Sequence, residues 1–164
     1  MIITGYHGTS KEYGNEIINN KKFNKSTGKE QWLGTGIYFY RGYEDALNWA
    51  KKYHGDIMVI HAVINLENDK YIDLDSSIGR AYYRKAVEIL KGFDYISRGT
   101  AQENQCAIAN FIWQEWSYIQ LIMAAFPTEP SAFKMLKDAR EYRKEFCIRD
   151  NKYIKAINYI DCIL

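Results

Sequence analysis

A chain of 164 residues, 47% of them hydrophobic, is long enough to bury the core of one domain without disulfide support. Its 22 basic and 20 acidic side chains leave a formal net charge of +2, which neither demands nor excludes a nucleic-acid partner. Cys106, Cys147 and Cys162 form no C-x-x-C pair, which argues against a zinc site and a secreted disulfide framework; a cytoplasmic protein without a bound metal is expected.

In chain order, the opening MIITGYHGTSKEYG lacks the charged and apolar regions of a leader, and no apolar run reaches bilayer length, so no membrane association is expected. Residues 2–7 read as a short strand. Thr9 or Ser10 caps a short helix that places Tyr13, Ile17 and Ile18 on one side. Residues 20–31, rich in Asn, Lys, Ser and Gly, read as a long exposed loop of the kind that carries function. The strand TGIYFY follows, then a helix over 43–50 with Leu47 and Ala50 at packing distance on one face. Two β-branched strands are expected over 57–66 and 71–74, joined by the turn at 67–69.

The middle reads as helical. Tyr82, Val87 and Leu90 mark one segment, Ile108, Ile112, Ile119 and Met123 a second, and the apolar stretch 107–126 is expected to be a buried helix. Both prolines fall within 126–130, the clearest break; a third helix over 132–143 follows. Residues 145–148 and 153–164 close the chain as two or three strands. Strands at both ends around a helical middle define an α+β domain, with a helical insertion over about 77–143.

Two groups carry candidate chemistry. His7, at a strand end and followed by Gly8, can present an imidazole and a bare backbone to one ligand. In WLGTGIYFY, Gly34 and Gly36 precede a run in which Tyr38 and Tyr40 share one face and Ile37 and Phe39 the other. One face can be core and the other a stacking surface for a flat heterocycle. His54 and His61 have no such neighbours.

The order H-G-T, then G-T-G-I-Y-F, then a helix bearing A-L-N-W-A resembles the NAD-binding half of the ADP-ribosyltransferase fold, in its poly(ADP-ribose) polymerase-like or diphtheria-toxin-like branch. That resemblance covers roughly residues 4–75 and 140–164 and implies a split β-sheet core and a His-Tyr-Glu triad. His7 matches the His and Tyr38 the Tyr; Glu145, in Glu145-Phe146-Cys147-Ile148-Arg149-Asp150, matches the Glu strand. Trp49 stands where the family places a second aromatic against the nicotinamide, and Ala46 where it often has a serine. The resemblance thus implies NAD contacts at His7, Gly8, Thr9, Gly36, Tyr38, Ala46 and Trp49.

By that likeness His7 holds the adenine-side ribose, Tyr38 and Trp49 sandwich the nicotinamide, and Glu145 bonds the other ribose as its cationic character grows. Arginine-modifying relatives carry Glu or Gln two residues before the catalytic Glu; Arg143 stands there instead, which points to an anionic or neutral acceptor. RNA, DNA and an acidic protein are the candidates, with Lys21, Lys22, Lys25 and Lys29 as phosphate contacts. A single catalytic domain also looks like the toxin of a bacterial toxin–antitoxin or anti-phage system, with an antitoxin as partner. The alternatives are an NAD glycohydrolase, a non-catalytic module for NAD or ADP-ribose, and, ranked last, an RNA 2′-phosphotransferase.

Overall fold

Alternation builds the front of the chain. In β1 (Ile2–Ser10), Ile3, Gly5 and His7 point to one side while Thr4, Tyr6 and Gly8 point to the other. Ser10 ends the strand and caps α1 (Lys11–Asn20), its hydroxyl accepting from Tyr13 N at 3.3 Å. Lys21, at φ 51°, closes that helix in the left-handed conformation. The computed structural model describes residues 1–93, 96, 99–127 and 142–160.

After the loop come β2 (Ile37–Tyr40), α2 (Tyr43–Tyr53), β3 (Ile57–Asn65), β4 (Tyr71–Asp73), α3 (Ser77–Gly92) and α4 (Ala101–Glu115). The chain then runs through β5 (Leu121–Pro127), β6 (Tyr142–Ile148) and β7 (Ile154–Ile160). The strands form one mixed sheet in the order β4-β5-β6-β2-β1-β3-β7, all antiparallel neighbours except β4 and β5. The fold is α+β. Although β3 and β4 are joined by a short turn, the sheet places them far apart.

Two cores sandwich the sheet. On one face Phe39, Phe146, Ile60 and Ile148 pack with Ile17 of α1 and Phe23 of the loop. On the other, Ile122, Ala124 and Cys147 pack with Ile108, Ile112 and Trp113 of α4 and with Ala86 and Leu90 of α3. Helix α2 covers that second face farther along, over Val59 and Tyr40. Thr100 and Glu103 cap α4 reciprocally, each side chain binding the other's backbone N–H.

The middle of the chain departs from expectation. The helix expected over 107–126 stops at Glu115, and residues 121–127 form β5, inserted between β4 and β6. The described residues of the stretch 77–143 are therefore not helical throughout, since after α3 and α4 they supply an inner strand of the sheet. Leu121, Ile122, Met123 and Ala124 are all buried, so this strand has no polar face and shows no alternation. The helix expected over 132–143 lies largely outside the described residues; Tyr142 and Arg143 belong to β6. The loop 20–31 is pinned rather than wholly exposed. Phe23 is buried, Asn151 bonds both its N–H (2.8 Å) and its carbonyl (3.0 Å), and Ser26 bridges to Gly36.

Among the described residues no helix is long and apolar enough to cross a membrane.

Candidate active site

The sheet opens between β1 and β2. These strands share one paired register, Tyr6 opposite Tyr40, whereas β1 pairs with β3 along its whole length. The next link across the gap is made by a side chain. His7 Nδ1 lies 2.8 Å from the Tyr38 carbonyl oxygen, and its ring packs edge-on against Phe23 at 5.1 Å. A carbonyl only accepts, so Nδ1 carries the proton and Nε2 of the neutral ring is an acceptor. Burial, opposed by the Tyr38 carbonyl and aided by His54, holds the His7 pKa below 6.5 and keeps the ring neutral.

A cleft of about 680 Å³ lies over this opening. His7 and Gly8 of β1, Tyr38 of β2, Trp49 of α2 and Glu145 of β6 all line it. Residues from both ends of the chain thus meet in one place. The sheet register accounts for part of this, because Tyr40 stands opposite Glu145 on β6 and opposite Tyr6 on β1.

Glu145 is 5% exposed, and Arg143 Nε donates to its Oε1 at 2.7 Å. Two residues apart on a strand, both side chains face the cleft. Burial raises the Glu145 pKa above 4.5, Arg143 pulls it down, and Asp45 adds to the rise. For Arg143 burial lowers the pKa, but the attraction of Glu145 outweighs it and the net shift is upward. The two side chains form an ion pair. One bond from Arg143 leaves the carboxylate further acceptor capacity for a sugar hydroxyl.

The Tyr38 phenol accepts from Leu33 N at 2.8 Å and donates to Gly34 O at 2.7 Å. Burial, first among its causes, raises its pKa far beyond the physiological range, so the ring is a neutral wall. Gly34 adopts φ +78°, which is why that turn takes a glycine. Trp49, 37% exposed, stands beside Tyr53 with ring centroids 5.0 Å apart and offers an open aromatic surface.

Three residues expected at the ligand do not line the cleft. Ala46 is fully buried beneath Gly8, so close that a Cβ on Gly8 would meet the Ala46 carbonyl oxygen at 2.1 Å. Thr9 is 7% exposed and sits in the β1–β3 ladder. Gly36 lies against β6, where a Cβ would meet Cys147 Sγ at 2.4 Å; it serves strand packing. Of the four loop lysines none lines the cleft, and Lys25 faces a different cavity. The charged residues that do line it are Lys52 and Arg143 together with Glu30, Asp45 and Glu145. Asp45, Asn48, Gln31 and Gln102 were not singled out by sequence reasoning. For Asp45 a signal existed, because positions 45 and 49 are one helical turn apart and share a face, and Asn48 lies three residues from Asp45.

No protein-family model matches the chain. The chain is 20% identical to an uncharacterized protein of Methanocaldococcus jannaschii, MJ0359, over 97% of its own length and 87% of that relative.

Proposed function

We propose that the chain is an NAD-dependent mono-ADP-ribosyltransferase that cleaves the nicotinamide–ribose bond and transfers ADP-ribose to a macromolecular acceptor. The observation that carries this reading is the meeting of His7, Tyr38 and Glu145 in one cleft at the opening of the sheet. Its order of motifs resembles that of the His-Tyr-Glu branch.

In this reading His7 Nε2 accepts a bond from the adenine-side ribose, and the rings of Tyr38 and Trp49 bind the nicotinamide. As the bond to nicotinamide breaks, the electron pair leaves with the ring and positive charge develops on the sugar. The Glu145 carboxylate accepts from the ribose 2′-hydroxyl and interacts more strongly with the sugar in the transition state than in the ground state. A preorganised contact of this kind contributes about 2.7–4 kcal/mol. Arg143, standing two residues before Glu145 where arginine-modifying relatives carry Glu or Gln, supports an anionic or neutral acceptor, a nucleic acid or an acidic side chain, over a guanidinium. By analogy with compact toxins, the activity suits a toxin or anti-phage effector held by an antitoxin.

The test is nicotinamide release from NAD by the wild type and by Glu145→Gln, with separate RNA, DNA and protein pools and NAD labelled in its ADP-ribose part. A loss of about a hundredfold or more in Glu145→Gln, with label on one pool, supports the reading. Free ADP-ribose unaffected by any pool would make the protein a glycohydrolase. Tight NAD binding without nicotinamide release would make it a binding module.

A further inference from the structure

Residues 33–35 form a wall with two sides. On the cleft side the Tyr38 hydroxyl binds Leu33 N and Gly34 O. On the other side Trp113 Nε1 donates to Leu33 O at 3.0 Å, and Asn110 Oδ1 accepts from Thr35 N at 2.7 Å. Beyond that second side lies a separate cavity of about 630 Å³, bounded by α4, Leu90 of α3 and the chain at Lys25.

Its charged lining has one sign. Lys25 and Arg149 face it, and no carboxylate does among the described residues. Arg149 is held in place, its Nη1 donating to Trp113 O at 2.7 Å and its guanidinium 5.6 Å from the Trp113 ring centroid. Lys25 makes no hydrogen bond or ion pair among the described residues, so its ammonium is available. Phe111 supplies a half-buried ring, and Gln114, exposed one turn farther on, a carboxamide. Cations without a counter-ion, an aromatic wall and a group that can read a base edge are together the requirements of a phosphate-bearing base. The volume falls within the range of small-ligand pockets.

We propose that this cavity binds a nucleotide unit, its phosphate held by Lys25 and Arg149 and its base against Phe111. The site is distinct from the cleft and does not depend on NAD cleavage there. A free mononucleotide and one nucleotide of a single-stranded RNA offer the same chemistry.

The experiment measures binding of AMP and of a short single-stranded RNA, without NAD, to the wild type, Lys25→Glu and His7→Asn. Lys25 is exposed and makes no hydrogen bond or ion pair among the described residues, so its replacement is expected to leave the fold intact, which circular dichroism checks. The expected result is binding of at least one probe, weakened about tenfold or more by Lys25→Glu and unchanged by His7→Asn. For RNA, Lys25→Ala should also reduce the slope of log affinity against log salt by about 0.7. AMP binding without RNA binding identifies a free nucleotide as occupant, and the reverse a strand. The proposal is overturned if neither probe binds, if Lys25→Glu binds as the wild type does, or if His7→Asn weakens binding equally, which would put the probe in the cleft. Since no NAD is present, these results stand apart from nicotinamide release.

Discussion

Arg143 Nε and Glu145 Oε1 lie 2.7 Å apart on one face of β6, with the Arg143 guanidinium 5.9 Å from the ring centroid of Tyr40, the residue opposite Glu145. Burial lifts the Glu145 pKa and Arg143 counters it. Its strand neighbour therefore favours the ionised form of the carboxylate proposed to stabilise the sugar cation.

Arg143→Met keeps much of the length and removes the charge. Burial then acts on Glu145 unopposed, and its pKa rises further. A reaction that needs the carboxylate ionised fails as pH falls through that pKa, so the acid limb of nicotinamide release should move to higher pH. The alkaline plateau should change less. A pH–rate profile of kcat/KM checks this; an acid limb that stays in place would show that Arg143 does not tune Glu145.

The same shift has a consequence for stability. The folded-state pKa of Glu145 lies above its ordinary 4.5, so between those values the folded chain binds more protons than the unfolded chain. By linkage, its contribution to stability is largest below 4.5 and is lost as pH rises through the folded pKa. Glu145→Gln removes that dependence. Urea unfolding over a pH series should show the wild type losing stability relative to Glu145→Gln as pH rises from about 4, the opposite of an ordinary surface carboxylate.

How much of this was legible in the sequence depended on whether a residue's signal was local. His7, Tyr38 and Glu145 stood in short motifs whose strand setting is a local property, and all three line one cleft. The face assignment in β2 also followed from alternation alone, with Phe39 in one core and Tyr38 against the other. Strand β5 was not legible, because a strand buried on both faces has no period of two and here follows a helix without an intervening Gly or Pro. That Gly36 and Ala46 do not line the cleft was hidden for a related reason. Glycine and alanine also serve close packing between elements, and the two uses look alike until the neighbours are known.

His7 has two separable tasks, and His7→Asn separates them. An Asn amide can donate from about the position of Nδ1 and so keep the bond to the Tyr38 carbonyl, but it has nothing at the place of Nε2. Nicotinamide release should fall while stability near neutral pH is largely kept; His7→Ala should cost about 1–3 kcal/mol as well. Because burial depresses the His7 pKa, the wild type keeps its full stability above 6.5 and loses part of it as pH falls toward the folded pKa. His7→Asn should flatten that loss. Equal release by His7→Asn and the wild type would remove Nε2 from substrate binding.

Gly8→Ala tests whether the cleft depends on how closely α2 approaches β1. The added methyl would meet the Ala46 carbonyl oxygen at 2.1 Å and the Ala50 Cβ at 3.1 Å, and the first of these is backbone that cannot rotate aside. Helix α2 must then move outward, carrying Trp49 away from Tyr38. Overpacking of this kind costs about 1–3 kcal/mol, which denaturant unfolding would detect. If Trp49 forms one side of the nicotinamide site, KM for NAD should rise along with the loss of stability. Gly36→Ala is the comparison: its methyl would press on Cys147 in the β2–β6 ladder, away from the cleft. It should destabilise the chain with a smaller effect on KM, and equal effects on KM from both substitutions would show that the approach of α2 does not shape the site.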